Sequence, residues 1–413
     1  MRRLAGVLIV AGSLCAVAFG ATAGVAAALT PPSQDPFYAA PASIGSYKPG
    51  AIIRSREVTP RGLTESASVT AYQLLYRTTS ATGQPIATVT TLLLPAVPAL
   101  GTRKLVSYQT AEDSLTTNCA PSYTIQGGNN GGTTQWAESG EIALLLDQGW
   151  DVSVPDYEGP QSDYAVGPLE GHATLDGIRA VEHFAASQLD GARTPVGMMG
   201  YSGGSIPTLW ANSQARRYAP ELNLVAAASG GNVPNPIENL QAVNGGVFAG
   251  VIVAASVGIN RAYPQLDLGG LLNATGQALA AEDAVDGSGC AGGVTNAPFK
   301  TVAELSNYQT PQQLEAVPRV HDVFAKLDLI GRAAPKAPSF IYNEINDEIA
   351  IIGPVEQLVA SDCARGAIID FDRDPAGEHL TGAGAYVAPA LVYLEQRFAG
   401  DAPPDTCPAS DRK

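Results

Sequence analysis

Basic side chains are scarce in this chain: 24 Lys and Arg stand against 39 Asp and Glu, for a formal net charge of −15. No run of Lys or Arg interrupts that balance, so a nucleic-acid backbone or an anionic membrane surface would be repelled, and neither is expected as a partner. Histidine is scarcer still, four in 413 residues, with no two at metal-ligand spacing and the cysteines scattered, so neither a metal nor another cofactor is expected. Beyond the N-terminus there is no apolar run long enough to span a bilayer. Internal repeats and low-complexity tracts are missing as well, which excludes solenoids and fibrous arrays. With only 15% charged and 45% hydrophobic residues, the chain has the apolar material for a large core plus an insertion.

Met1-Arg2-Arg3 leads into an uncharged run over residues 4–29, which closes near Ala26-Ala27-Ala28 before Thr30-Pro31-Pro32. A basic head, an apolar stretch and small residues at the cut mark residues 1–28 as a secretory signal peptide, so a secreted protein is expected. An uncleaved anchor is the alternative, since the run is just long enough to span. Cleavage removes two arginines and no acid, leaving −17. Cys119, Cys290, Cys363 and Cys407 remain, and an even number in an exported chain predicts two disulfides, with three possible pairings.

Two alternating stretches, residues 69–76 and 86–92, flank Gly83-Gln84-Pro85 and predict an antiparallel hairpin. Short apolar runs at residues 104–108, 150–154, 196–199, 224–228, 339–342 and 367–371 then alternate with helical stretches at 138–148, 174–187, 206–218 and 386–398. That rhythm predicts a mostly parallel sheet covered on both faces. One mainly helical segment, residues 234–335, breaks it. A structureless loop of that length is implausible, so it is expected to form a cap inserted into a core made of residues 29–233 and 336–413.

Gly200-Tyr201-Ser202-Gly203-Gly204 is the single G-x-S-x-G in the chain. Among 44 glycines the pattern alone is weak, and its placement decides. It follows the strand-like residues 196–199 and precedes the amphipathic residues 206–218, which is the strand, sharp turn and helix of a nucleophile elbow in the α/β-hydrolase fold. A serine hydroxyl needs a base within bonding reach, itself oriented by a carboxylate, and in this fold the chain order is Ser, acid, His. His172 and His183 precede Ser202, and His321 lies inside the insertion with no strand before it to deliver the acid. His379, just past the last predicted strand, is left as the base. The acid belongs beyond the strand before last, where Glu344, Asp347 and Glu348 stand. Asp347 is favoured, because Glu344 is nearly in the strand and Glu348 reads as the first charge of the following helix. The Gly203 amide is one oxyanion donor, and the second belongs in residues 109–114, where the side chains alone single out none. Gly287-Ser288-Gly289-Cys290-Ala291-Gly292 fits a dinucleotide fingerprint, but acidic residues precede it where a hydrophobic strand is required, so it reads as a loop.

Several further stretches go together with the elbow: Tyr108-Gln109-Thr110-Ala111-Glu112-Asp113, Cys119-Ala120-Pro121-Ser122-Tyr123, Leu175-Asp176-Gly177-Ile178-Arg179-Ala180, Tyr218-Ala219-Pro220-Glu221-Leu222-Asn223, Asn346-Asp347-Glu348-Ile349 and Glu378-His379-Leu380-Thr381. With them, the chain resembles the secretory lipase family of fungi and actinobacteria from about residue 36 to about residue 407. The resemblance implies hydrolysis of acylglycerols or other carboxylic esters, with Ser202, Asp347 and His379 in the roles derived above. It also implies Asp113 as the second oxyanion contributor beside Gly203, and disulfides joining Cys119 to Cys290 and Cys363 to Cys407. The insertion would be the cap that houses an acyl-chain tunnel, with the apolar residues 247–259 as tunnel lining or as plain packing. In the family's yeast member a tail beyond the last helix carries a flap, whereas here the chain reaches Lys413 soon after Cys407, a departure that puts interfacial activation through such a flap in question and points toward esterase behaviour on soluble or dispersed substrates. A lipase working at a lipid–water interface thus stands beside a non-lipolytic esterase, an acyltransferase or a peptidase. A non-catalytic lipid-binding envelope protein is the reading from another class, and a monomer is expected throughout.

Overall fold

The structure is a computed structural model and describes residues 29–61, 63, 69–131, 133–285, 290 and 296–408. The signal peptide lies outside them, as does the glycine-rich loop around Cys290 apart from that cysteine. Nine strands form one sheet: β1 (Ile52–Val58), β2 (Val69–Thr79), β3 (Pro85–Pro95), β4 (Leu105–Gln109), β5 (Asp151–Pro155), β6 (Val196–Tyr201), β7 (Leu224–Gly230), β8 (Ser339–Glu344) and β9 (Ile369–Asp374). Their order is β1-β2-β3-β5-β4-β6-β7-β8-β9, antiparallel from β1 to β5 and parallel from there on. This is the α/β-hydrolase fold. The β2–β3 hairpin pairs without a break from Val69↔Pro95 to Thr79↔Pro85. β1 escaped the sequence reading because, as an edge strand, it carries polar residues on both faces: Ser55 and Glu57 are exposed, while Arg54 and Arg56 are half-buried, Arg56 bonded to Asp35 and Gln73, so no apolar alternation shows. In contrast, every residue of β4, β5, β6 and β8 is buried, as expected of parallel strands covered on both faces.

Helices α1 (Thr133–Asp147) and α9 (His379–Ala399) cover one face, where Ile142, Leu145, Tyr386 and Leu394 pack on Val106, Tyr108, Val152 and Met199. On the other face α2 (Gly167–Glu182) and α3 (Ser205–Tyr218) bring Leu175, Ile178 and Ala211 against Leu92, Leu105 and Met198. α8 (Ile352–Cys363) packs Val355 against Ile341 and Ile369 near the far edge. Two helix starts differ from the periodicity. α2 opens at Gly167 rather than 174, since Pro168 suits a first turn that needs no N–H there. α9 opens at His379 rather than 386. The Glu378 carboxylate accepts from the Leu380 and Thr381 amides while the Thr381 hydroxyl accepts from the Glu378 amide, a reciprocal cap that starts the helix early.

Between β7 and β8 the chain makes α4 (Pro236–Ala242), α5 (Gly250–Ala262), α6 (Ala274–Val285) and α7 (Pro318–Leu327). The ends of this excursion meet where the Leu329 amide donates to Pro234 O at 2.9 Å. Its apolar residues, Ile252, Val253, Leu271 and Phe324 among them, form one continuous cluster with Val166, Leu169, Ile206 and Trp210 of the sheet-covering layer. Disulfides join Cys119 to Cys290, tying the region after β4 to this helical insertion, and Cys363 to Cys407, tying the end of α8 to the C-terminal tail.

Candidate active site

β4 is flanked by β5 on one side and β6 on the other, so the chain reverses direction across the sheet at this point. Such a reversal opens a crevice at the carboxyl ends of the two strands. Gln109 pairs with Gly200, which brings the loop after β4 and the turn after β6 to the same level. At that turn Ser202 sits at φ 54°, a left-handed conformation that costs a non-glycine residue on the order of 1 kcal/mol or more. The turn is held because α3 starts at once and because Gly204 presses on β4: a Cβ there would lie 2.0 Å from Gln109 O.

The strained turn lifts the Ser202 hydroxyl to 2.7 Å from His379 Nε2. His379 Nδ1 lies 2.8 Å from Asp347 Oδ2, and Asp347 Oδ1 accepts from the Ile349 and Ala350 amides at 2.8 and 2.6 Å. Both the imidazole and the carboxylate are buried, whereas Ser202 is half-buried. Burial alone would push the imidazole down, but the hydrogen bond and charge of Asp347, with the charges of Glu348 and Asp113, outweigh it and raise His379 above its ordinary range. The other two candidate acids are placed differently. Glu348 does not open a helix, since α8 begins only at Ile352; its carboxylate accepts from the His379 amide at 3.3 Å. Glu344 ends β8, fully buried, and burial pushes it up to about 7. Its oxygens lie 3.3 Å from Tyr201 Oη, which donates to His379 O at 2.7 Å. His172, stacked on Tyr218, and the exposed His183 and His321 take no part.

The loop after β4 carries a second left-handed residue, Asp113, at φ 43°. The amides around it are all engaged: Ala111 N–H by Glu138 at 3.1 Å, Glu112 N–H by Tyr157 Oη at 3.1 Å and Ser114 N–H by Glu158 Oε1 at 3.3 Å. Tyr157 Oη also donates to Thr110 O at 2.6 Å. Among the described residues the Asp113 N–H has no partner. The Gly203 amide lies in the first turn after the elbow, where helical geometry supplies no preceding carbonyl.

Residues 128–406 match the family model described as secretory lipase. The chain belongs to the secretory lipase family. Lipase A of Moesziomyces aphidis is 35% identical over 389 residues, 92% of this chain and 83% of that protein. The structure of Candida antarctica lipase A in its closed state superposes with a TM-score of 0.86 at 34% identity, over 92% of this chain and 89% of that one. A Mycobacterium tuberculosis relative, 33% identical over 89% of this chain and 83% of its own length, bears the name probable inactive lipase. Membership of the family therefore does not by itself carry activity. Here Ser202, His379 and Asp347 are in bonding contact, and the protein is a carboxylic-ester hydrolase. Among the described residues no helix is long and apolar enough to cross a membrane, and no three His, Cys, Asp or Glu are grouped to hold a metal ion.

Four residues that shape this secretory lipase site escaped the sequence reading: Tyr201 behind His379, and Glu138, Tyr157 and Glu158 under the loop after β4. Asp156-Tyr157-Glu158-Gly159-Pro160 has the composition of an exposed turn, and nothing local signals that its acids are buried. Gly203 bears a constraint that the motif pattern does not express, since a Cβ there would fall 1.9 Å from Asp113 Oδ1. Gly203→Ala is expected to displace Asp113 and lower kcat on a soluble ester by about 10²-fold with little change in KM, the size of losing one oxyanion donor. Steady-state kinetics with kcat unchanged would show that this contact does not matter for turnover.

Proposed function

We propose that this secretory lipase is exported and hydrolyses acylglycerol-type esters through an acyl-enzyme on Ser202. The observation that carries the reading is the unbroken chain from Ser202 Oγ through His379 to Asp347, at 2.7 and 2.8 Å, facing a loop whose Asp113 amide has no partner among the described residues. His379 takes the Ser202 proton as the hydroxyl attacks the ester carbonyl, and the Asp113 and Gly203 amides receive the developing oxyanion. The imidazolium then gives its proton to the departing alcohol, water enters by the same route, and the acid is released. Asp347 holds Nδ1 protonated, so that Nε2 is free to accept.

Residues 234–335 act as the cap in this reading. A narrow cavity inside it is lined by Leu240, Ile252, Val253, Leu271, Leu305 and Phe324, which suits an acyl chain and offers little to a polar group. Ile345, two positions before Asp347, and Leu380, next after His379, are 46% and 65% exposed and suit contact with a dispersed lipid. The two disulfides agree with an oxidising compartment.

A panel of p-nitrophenyl esters from acetate to palmitate, a triacylglycerol emulsion and matched amides tests the proposal, with fluorophosphonate labelling of the nucleophile alongside. Turnover of medium or long acyl esters and of the emulsion is expected, with the amides inert. Activity confined to the shortest soluble esters would instead make the protein a non-lipolytic esterase, and absence of labelling would make it a binder. Val253→Trp, which fills the cavity, is expected to lower kcat/KM for a twelve-carbon ester by about 10-fold or more while sparing a four-carbon one.

A further inference from the structure

Beneath the loop after β4 lie three carboxyl groups that this reaction does not use. Glu112 stands in that loop, Glu158 in the loop after β5 and Glu170 in the first turn of α2, each at most 2% exposed. Glu158 Oε1 accepts from the Ser114 amide and Glu170 Oε1 from the Val166 amide, but Oε2 of Glu112, Glu158 and Glu170 is buried with no hydrogen-bond partner. The neighbours are mostly acids. Asp113 faces all three, Asp156 faces Glu112, Asp163 faces Glu170, and the phenols of Tyr157 and Tyr164 close the space. Of these acids His379 acts on Asp113, and the cation facing the group is Arg261 of α5, whose Nη1 is engaged by the carbonyls of Leu115, Gln161 and Ser162.

One guanidinium does not neutralise three buried carboxylates, and three lone oxygens without a donor call for protons: a carboxylic acid supplies the O–H that the site lacks. We propose that Glu112, Glu158 and Glu170 are held protonated as a neutral platform under residues 110–114, and that Glu158, through Ser114, positions the Asp113 amide, so that turnover falls reversibly when the platform ionises. The inference rests on the reading of Asp113 as an oxyanion donor. Burial is the main force that drives all three carboxyls upward; nearby carboxylates add to it, Asp156 first at Glu112, Glu112 first at Glu158, and Asp113 and Asp163 at Glu170, where the Val166 amide pulls the other way. The folded chain thus keeps protons that the unfolded chain releases, and the order these protons confer on the loop is present at low pH and is lost as pH rises toward the raised values.

The test is the pH dependence of kcat on a soluble short-chain ester for wild type, Glu158→Gln, Glu112→Gln and Glu158→Leu. The acid limb follows His379, which must be neutral to act as base, and its midpoint is expected to be the same in all four proteins. The alkaline limb of the wild type is expected to move up by about one pH unit or more in Glu158→Gln, which keeps the acceptor for Ser114 and carries N–H groups where the proton was. Glu158→Leu, which removes that acceptor, is expected to lose about 10-fold in kcat at every pH with KM nearly constant. Alkaline limbs of both glutamine variants superimposed on the wild type would overturn the proposal, and two glutamine substitutions guard against one of them failing to fold. Full turnover by a Ser202→Ala control would instead overturn the acyl-enzyme reading, so the two failures are told apart.

Discussion

Replacing Ser202 with alanine is expected to lower kcat on p-nitrophenyl esters by roughly 10⁴ to 10⁶-fold, because the reaction loses both the nucleophile and the group whose proton His379 accepts. The fold should be untouched. The hydroxyl contacts only the imidazole, and alanine tolerates the φ of 54° about as well as serine, so the melting temperature is expected to stay within a few degrees. Labelling by a fluorophosphonate should vanish in parallel. If Ser202→Ala turned over esters at the wild-type rate, a different nucleophile would have to be sought, and the elbow would be a structural turn.

Asp347→Asn should have the next largest effect, and its cause is a proton rather than a contact. The Ile349 and Ala350 amides both donate to Asp347 Oδ1, so an asparagine must keep its oxygen there and turn its NH₂ toward His379 Nδ1. The imidazole then accepts at Nδ1 and carries its proton on Nε2, aimed at Ser202, where it cannot act as base. A kcat loss of about 10⁴-fold is expected, as for the same exchange in a serine-protease triad. The geometry should survive, because every hydrogen bond is kept, with the directions of the Asn–His and His–Ser bonds both reversed. A loss under ten-fold would shift the orienting role to another carboxyl beside His379, Glu348 first, whose oxygen accepts from the His379 amide.

Much of this site was legible before any coordinates. The elbow is a local object: an apolar strand, two glycines around a serine and an amphipathic helix lie within residues 196–218, and backbone sterics act over that range. His379 followed from elimination among four histidines, because chain order in this fold is topological and survives without distances. The sheet emerged from buried, uninterrupted apolar runs, whereas β1 did not, because its run of polar residues, Arg54 to Glu57, masks the strand period.

Direction, by contrast, belonged to the tertiary structure. Glu344, Asp347 and Glu348 lie within five residues and share one chemistry; only the packing of β8 against β9 and the early start of α9 aim Oδ2 of Asp347 at the imidazole, while Glu348 meets the His379 backbone instead. Likewise, the residues alone left the second donor open within the loop after β4, and the free Asp113 amide shows only once Tyr157, Glu138 and Glu158 have claimed its neighbours. The burial of those acids has the same origin. Composition sets how many carboxyls a chain carries, but whether one meets water, a cation or another carboxyl depends on elements far apart in sequence closing over it.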